Sequence, residues 1–367
     1  MRRIKLFSLI QERVVRRMCP SRWSVRRRAS WSASGGSAAV ESLETRCLLS
    51  AGDLDLSFGH GGRVTTSVGT GNGGSLTAVG TIQSDGKVVV AGSANDNGNS
   101  DFALARYNND GSLDSSFDGD GTLTTDLGTM NDYVNSVAIQ PDGKIVVAGI
   151  VYDSGADPLH QFFALARYNS DGSLDQTFDG DGKLTTNFGS SAVSTSMVLQ
   201  PDGKIVVAGR TQNISGSNSD FALARYNANG SLDTSFDGDG LLTTSGGIGT
   251  GFDQANSLAL QTDGKIVVAG ETSRGGNNFA LVRYNSDGSL DNSFDGDGML
   301  TTSFGSSNSV AKSVVVRTDG KIVVVGLGGN EVLVLARYNS DGSLDGSFDG
   351  DGKLTTNFGP FADCPNW

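Results

Sequence analysis

The sequence predicts an all-β chain, a β-propeller of five four-stranded antiparallel blades, and three observations carry that prediction. First, an Asp-Gly turn beside an apolar run recurs five times: SDGKVVVAG at 84–92, QPDGKIVVAG at 140–149 and 200–209, QTDGKIVVAG at 261–270 and RTDGKIVVVG at 317–326. Asp-Gly between apolar runs marks a tight hairpin, because glycine accepts the backbone angles the turn demands. Second, the leucines of an LDxxF element fall at Leu54, Leu113, Leu174, Leu232, Leu290 and Leu344, in steps of 59, 61, 58, 58 and 54 residues. That period is too long for one coil of a β-helix and suits a block of about four strands. Third, the strand after each turn is apolar on both sides: Ile145 and Val147 point one way, Val146 and Ala148 the other. Burying each large apolar side chain is worth roughly 1.5–3 kcal/mol. Sheets stacked about a common axis cover both faces; a lone sheet covers neither.

The chain opens with a basic leader, residues 1–50, holding eleven Lys and Arg against three Glu, a net +8. Its best apolar run, Leu6 to Ile10, contains Ser8 and falls short of the roughly 7–15 residues of a secretory signal core. Ile4, Phe7, Val14 and Met18 share a helix face with arginines opposite, which suits an anionic membrane surface; a disordered leader is the other reading. The remainder holds 17 basic against 37 acidic residues, a net −20, so the repeats disfavour nucleic acid. No stretch supplies the ~18 apolar residues of a transmembrane span. Residues 51–360 are the tandem repeats and 361–367 a tail that abandons the pattern. Cys19, Cys47 and Cys364 all lie outside the repeats, so disulfides do not hold them together.

Within one block, GTLTTDLG (121–128), VNSVAIQ (134–140), KIVVAG (144–149) and FALARYN (163–169) each read as a strand, and nothing has helical periodicity. In FALARYN, Phe and Leu face one side and the two alanines the other, so a large-residue face stacks on a neighbour's small-residue face. Connections in a meander alternate between its two ends. The loops after VVAG and after LTT therefore share one face, and these are the connections that vary from copy to copy. A rigid frame with one variable face places binding there. The candidate ligand residues are Asn95, Asp96, Tyr152, Asp153, Asp157, His160, Gln212, Asn213, Arg274 and Asn277. Five hairpins meet six LTT-type strands, counting Val64-Thr65-Thr66 and Leu354-Thr355-Thr356. Either one strand is spare, or the array is open or truncated, with an edge free to pair with another molecule.

The strings DGKIVVAG, FALARYNxDGSLDxSF and FDGDGxLTTxFG resemble the delta-60 repeat family over residues 54–359. That resemblance implies a β-propeller and a surface location, and it transfers no activity. Ahead of the repeats, Leu43-Glu44-Thr45-Arg46-Cys47-Leu48-Leu49 resembles the Leu-Glu-Pro-Arg-x-Leu-Leu motif of exported bacterial proteins, with Thr45 in place of proline. It implies a secreted or cell-surface protein.

For chemistry, FDGDG offers carboxylate pairs at Asp118 and Asp120, Asp179 and Asp181, and Asp237 and Asp239. These are candidate Ca²⁺ ligands, set against a reading as Asx-turns with glycines at positive φ. Arg106, Arg167, Arg225, Arg283 and Arg337 recur in one strand slot, either as a ring for anions or, each paired with a loop Asp, as a brace. GTGNGG at 69–74 fits a phosphate-loop pattern but no helix follows it. His60 and His160 lie in different blocks and neither sits near a nucleophile-elbow serine. No catalytic constellation and no cofactor is legible. The leading expectation is therefore a non-enzymatic surface scaffold binding envelope carbohydrate or protein. The alternatives are a polysaccharide hydrolase or lyase using acids such as Asp153 and Asp157, and a structural array self-associating through open edges.

Overall fold

The computed structural model describes residues 53–69, 78–96, 98–128, 130–152, 160–212, 218–244, 251–273, 276–305, 308–329 and 332–357. The leader, the 43–49 string, most of GTGNGG and the tail lie outside them. The described residues form five four-stranded antiparallel meanders and no α-helix. Blade one is β1 (Ala78–Ile82), β2 (Val88–Asp96), β3 (Asn99–Tyr107) and β4 (Thr122–Thr125). Blade two is β5 (Asp132–Ile139), β6 (Ile145–Tyr152), β7 (Gln161–Tyr168) and β8 (Lys183–Thr186). Blade three is β9 (Ser191–Leu199), β10 (Ile205–Gln212), β11 (Ser219–Tyr226) and β12 (Leu241–Thr244). Blade four is β13 (Asp253–Leu260), β14 (Ile266–Thr272), β15 (Asn278–Tyr284) and β16 (Met299–Thr302). Blade five is β17 (Val310–Val316), β18 (Ile322–Leu327), β19 (Leu333–Tyr338) and β20 (Lys353–Thr356).

Four core clusters join successive blades, and they follow the large-on-small rule. Phe163 and Leu165 of β7 pack in one cluster with Ala222 and Ala224 of β11; Phe221 and Leu223 pack with Ala280 and Val282 of β15. The other two clusters join blade one to two and blade four to five. No cluster joins blade five to blade one among the described residues. Val315 and Leu327 of blade five and Ile82 of blade one are exposed. Val64–Thr66, read from sequence as a strand, forms none.

Each junction is pinned by the repeated arginine. Arg225 Nε meets Asp233 Oδ2 at 2.6 Å, and Lys204 Nζ meets the same oxygen at 2.9 Å. The guanidinium lies 4.6 Å over the Phe236 ring, and its NH1 donates across the junction to the Ser286 carbonyl. Arg106, Arg167 and Arg283 repeat the pattern with Asp114, Asp175 and Asp291, each crossing to a carbonyl of the next blade. The arginines are thus braces and not an anion ring. Tyrosine hydroxyls supply a second rivet: Tyr168 to Thr125 at 2.8 Å and Tyr226 to Thr186 at 2.6 Å.

The first strand of blades two to five carries a bulge opposite the glycine of VVAG, between Val134 and Ser136 in β5 and between Ala255 and Ser257 in β13. A Cβ on Gly149 or Gly270 would overlap the carbonyl oxygen of Tyr133 or Gln254, which explains why this slot is glycine. A bulge bends its strand and re-aims the residues beside it. Here those residues are Asp132-Tyr133 and Asp253-Gln254, at the variable-loop end of the blades.

Candidate functional site

The variable face is built less from loops than the sequence reading expects. The second strands run on past the glycine, so Asn95 and Asp96 belong to β2, Tyr152 to β6 and Gln212 to β10. Two groups assemble at this end. In the first, the residue following VVAG in β10 is Arg210, half-buried between blades three and four. Its NH1 donates to Gln254 Oε1, its Cζ lies 4.9 Å from the Phe252 ring centre, and its Nε is buried without a hydrogen-bond partner. Burial pushes the guanidinium down from its ordinary value, while Glu271 and Tyr152 pull it back up. Gln254 and Glu271 are directly paired across β13 and β14, and Gln254 Nε2 donates to Asn256 Oδ1 at 2.8 Å. Burial raises the Glu271 carboxyl against the opposing charges of Lys312 and Arg210. Asn277 Nδ2 donates to Glu271 Oε2 at 3.3 Å. In blade two, Tyr133 and Tyr152 meet edge to face with ring centres 5.8 Å apart. A half-buried cation, a carboxyl biased toward its protonated form and two partly exposed rings therefore stand on three successive blades.

The second group lies between blades one and two. Asp101 at the start of β3, Asp126 just after β4 and Asp132 at the start of β5 present carboxylate oxygens all within 4.8 Å of one another. Asp101 and Asp132 are buried and Asp126 is exposed. Leu127 N donates to Asp132 Oδ2 at 2.8 Å, while Asp132 Oδ1 is buried without a hydrogen-bond partner. Burial raises the Asp132 carboxyl to about 7, with the charges of Asp126 and Asp101 adding to the effect. This is the one group of three or more potential metal ligands among the described residues.

The FDGDG carboxylates do turn work. Asp118, Asp179 and Asp237 sit at φ of 51–52°, and their backbone N–H groups donate to Asp171, Asn229 and Asp287 of the next blade. Asp120, Asp181 and Asp239 each accept from the backbone N–H two residues on, at 2.8, 2.9 and 2.8 Å. Of the ligand residues chosen from sequence, Tyr152 and Asn277 stand in the first group. His160 instead packs against Phe162, ring centres 6.1 Å apart. Asp153, Asp157, Asn213 and Arg274 lie outside the described residues. Arg210, Gln254, Glu271 and Tyr133 were not chosen. The available signal was the slot after VVAG, which reads Ser93, Ile150, Arg210, Glu271 and Leu327 in the five copies.

A family model described as "Domain of unknown function (DUF5122) beta-propeller" matches the chain five times, over 83–117, 140–178, 200–236, 261–294 and 317–348. These are propeller repeats, as the blades require. No curated protein matches. Among solved structures, the chain is similar to NanB sialidase from Streptococcus pneumoniae, at 13% identity and TM-score 0.43, covering 68% of this chain and 37% of that one. It is similar also to an ulvan lyase bound to a glucuronate-containing ligand, at 10% identity and TM-score 0.43, covering 73% and 68%. A puromycin hydrolase matches at 15% identity and TM-score 0.41, covering 76% and 36%. The chain thus spans little more than a third of the sialidase and the puromycin hydrolase. The non-enzymatic expectation finds no support among these neighbours: the sialidase, the ulvan lyase, a second polysaccharide lyase and the puromycin hydrolase are all enzymes. At these identities and TM-scores the likeness is one of fold alone, and the catalytic case rests on the chain's own residues.

Proposed function

We propose that this chain, built from five propeller repeats of the DUF5122 type, is a polysaccharide hydrolase or lyase acting on an anionic glycan at Tyr133, Tyr152, Arg210, Gln254 and Glu271. The observation that carries the reading is Arg210, a half-buried guanidinium whose side-chain partner among the described residues is the neutral amide of Gln254. A desolvated cation hydrogen-bonded to a neutral amide, with no carboxylate in salt-bridge contact among the described residues, favours an anionic ligand group, such as a uronate carboxylate. Glu271, its carboxyl raised by burial, supplies the proton-handling group that cleavage of a glycosidic bond needs. In elimination, ionised Glu271 takes the C–H proton beside the substrate carboxylate, Arg210 offsets the charge that builds there, and the adjacent C–O bond breaks as its oxygen leaves with a proton from water. In hydrolysis, protonated Glu271 delivers its proton to the leaving oxygen while a water oxygen bonds to the anomeric carbon and releases its proton to solvent. Tyr133 and Tyr152 offer apolar ring surface for a pyranose. The envelope carbohydrate expected as a partner becomes the substrate, and a location outside the cytoplasm fits it.

The test is turnover of a panel of carboxylate-bearing and neutral polysaccharides, followed by reducing ends for hydrolysis and by the ultraviolet absorbance of an unsaturated product for elimination. Cleavage of an anionic member should fall by roughly 10²-fold or more in Glu271→Gln and Arg210→Ala. Capture of a glycan with no bond broken, or turnover unchanged in both variants, refutes the proposal.

A further inference from the structure

We infer that Asp101, Asp126 and Asp132 form a calcium site that ties the first blade to the second. Three carboxylates from three segments converge within 4.8 Å, two of them buried. Like charges so close and so poorly hydrated repel strongly unless a proton or a cation stands among them. Asp132 points to a cation. It is fully buried, Leu127 N occupies its Oδ2, and its Oδ1 has no hydrogen-bond partner. An all-oxygen donor set, with exposed Asp126 leaving room for water, suits a hard cation of flexible coordination: Ca²⁺ in preference to zinc or copper.

Among the described residues no cation is bonded to the carboxylate of Asp126 or Asp132. Lys183 is the nearby cation, and its Nζ donates at 3.2 Å to the backbone carbonyl of Asp126, not to a carboxylate. The Tyr168 hydroxyl, which feels the charge of Asp132, donates to Thr125 Oγ1 at 2.8 Å. Asp126 Oδ1 accepts from Gly128 N at 2.9 Å.

The other junctions serve as internal controls. By strand register, the slots of Asp101, Asp126 and Asp132 hold Phe162, Asn187 and Ala192 at the second junction. At the third they hold Asp220, Ser245 and Asp253, and at the fourth Asn278, Ser303 and Ser309. Junctions that share every brace hold without this acid set, so the fold does not require it. The acids are an addition at one joint, next in the chain to Tyr133 but sharing no residue with the proposed glycan-cleaving group.

The experiment uses the full chain after treatment with a chelator. Calcium chloride should raise its melting temperature by several degrees, and terbium should luminesce when tyrosine is excited, because the Tyr168 hydroxyl end lies near Asp132. Asp132→Asn should lose both responses. Asp126→Asn, at an exposed position that leaves the core intact, should weaken calcium binding about tenfold or more, the loss of one of three charged ligands. Wild-type protein showing neither response at millimolar metal overturns the site and leaves a shared proton as what holds the acids together. Responses unchanged in both variants also overturn it, by placing the ion elsewhere.

Discussion

Replacing Arg225 with leucine tests how the blades are joined. The wild-type side chain is 5% exposed, meets Asp233 Oδ2 at 2.6 Å, covers the Phe236 ring and donates across the junction to Ser286 O. Its loss removes a charge-assisted hydrogen bond to the carbonyl of Ser286, worth about 1–3 kcal/mol, and a desolvated cation–π contact worth roughly 0.5–2 kcal/mol. Asp233 keeps Lys204 and Ser235, which limits the penalty of the broken pair. A total of about 1.5–5 kcal/mol follows from the two terms. Arg337 is the control: it makes the same bond to Asp345 at 2.6 Å and covers Phe348, yet among the described residues its guanidinium crosses to no carbonyl of another blade. Arg337→Leu should therefore cost about 1–3 kcal/mol less, the value of the crossing hydrogen bond. The assay is urea unfolding followed by circular dichroism and tyrosine fluorescence, reading the midpoint at constant slope. Equal shifts for the two variants would refute the idea that the arginine joins neighbouring blades.

Three further outcomes are expected. The Asp175, Asp233 and Asp291 carboxyls are pushed up by burial but more strongly held below their usual range by lysine, hydroxyl and arginine partners. A depressed folded value stabilises above the unfolded value of about 4 and is lost as the pH falls below it, so the melting temperature should drop steadily on acidification from there. Gly270→Ala, which sets a methyl group on the Gln254 carbonyl, should destabilise by roughly 1–3 kcal/mol or more in urea titration, with glycan cleavage falling further than stability explains. Tyr226→Phe removes the buried hydroxyl bonded to Thr186 Oγ1 and should cost about 1–2 kcal/mol in the same titration.

The blades were legible because each of their determinants is local and repeated. An Asp-Gly turn, a strand apolar on both sides and the FALARYN alternation each state their own requirement within a few residues. The arginine brace was half legible: the recurring slot was visible, and Asp233 as partner needed only proximity in the chain. The two groups at the variable end were not legible, because each draws one residue at a time from different blades. Asp101, Asp126 and Asp132 come together only through the register of three strands and a bulge, and nothing in the 24 residues between the first two marks them as neighbours. Arg210 was passed over as the first residue of a loop, when the strand in fact continues through it to Gln212. Val64–Thr66 misled in the other direction: its residues match the LTT copies, but strand formation needs a free edge to pair with, and β20 already occupies that place in blade five.

The bulge opposite each VVAG glycine has a consequence for how such a chain can diversify. Below it, every copy is committed to the same interlocking contacts, and a change there is felt by the neighbour. Above it, the re-aimed side chains answer only to the joint in which they stand. A cation and its amide at one joint, an acid trio at another and plain hydroxyls at a third can therefore be acquired separately, without renegotiating the parts that keep the molecule folded.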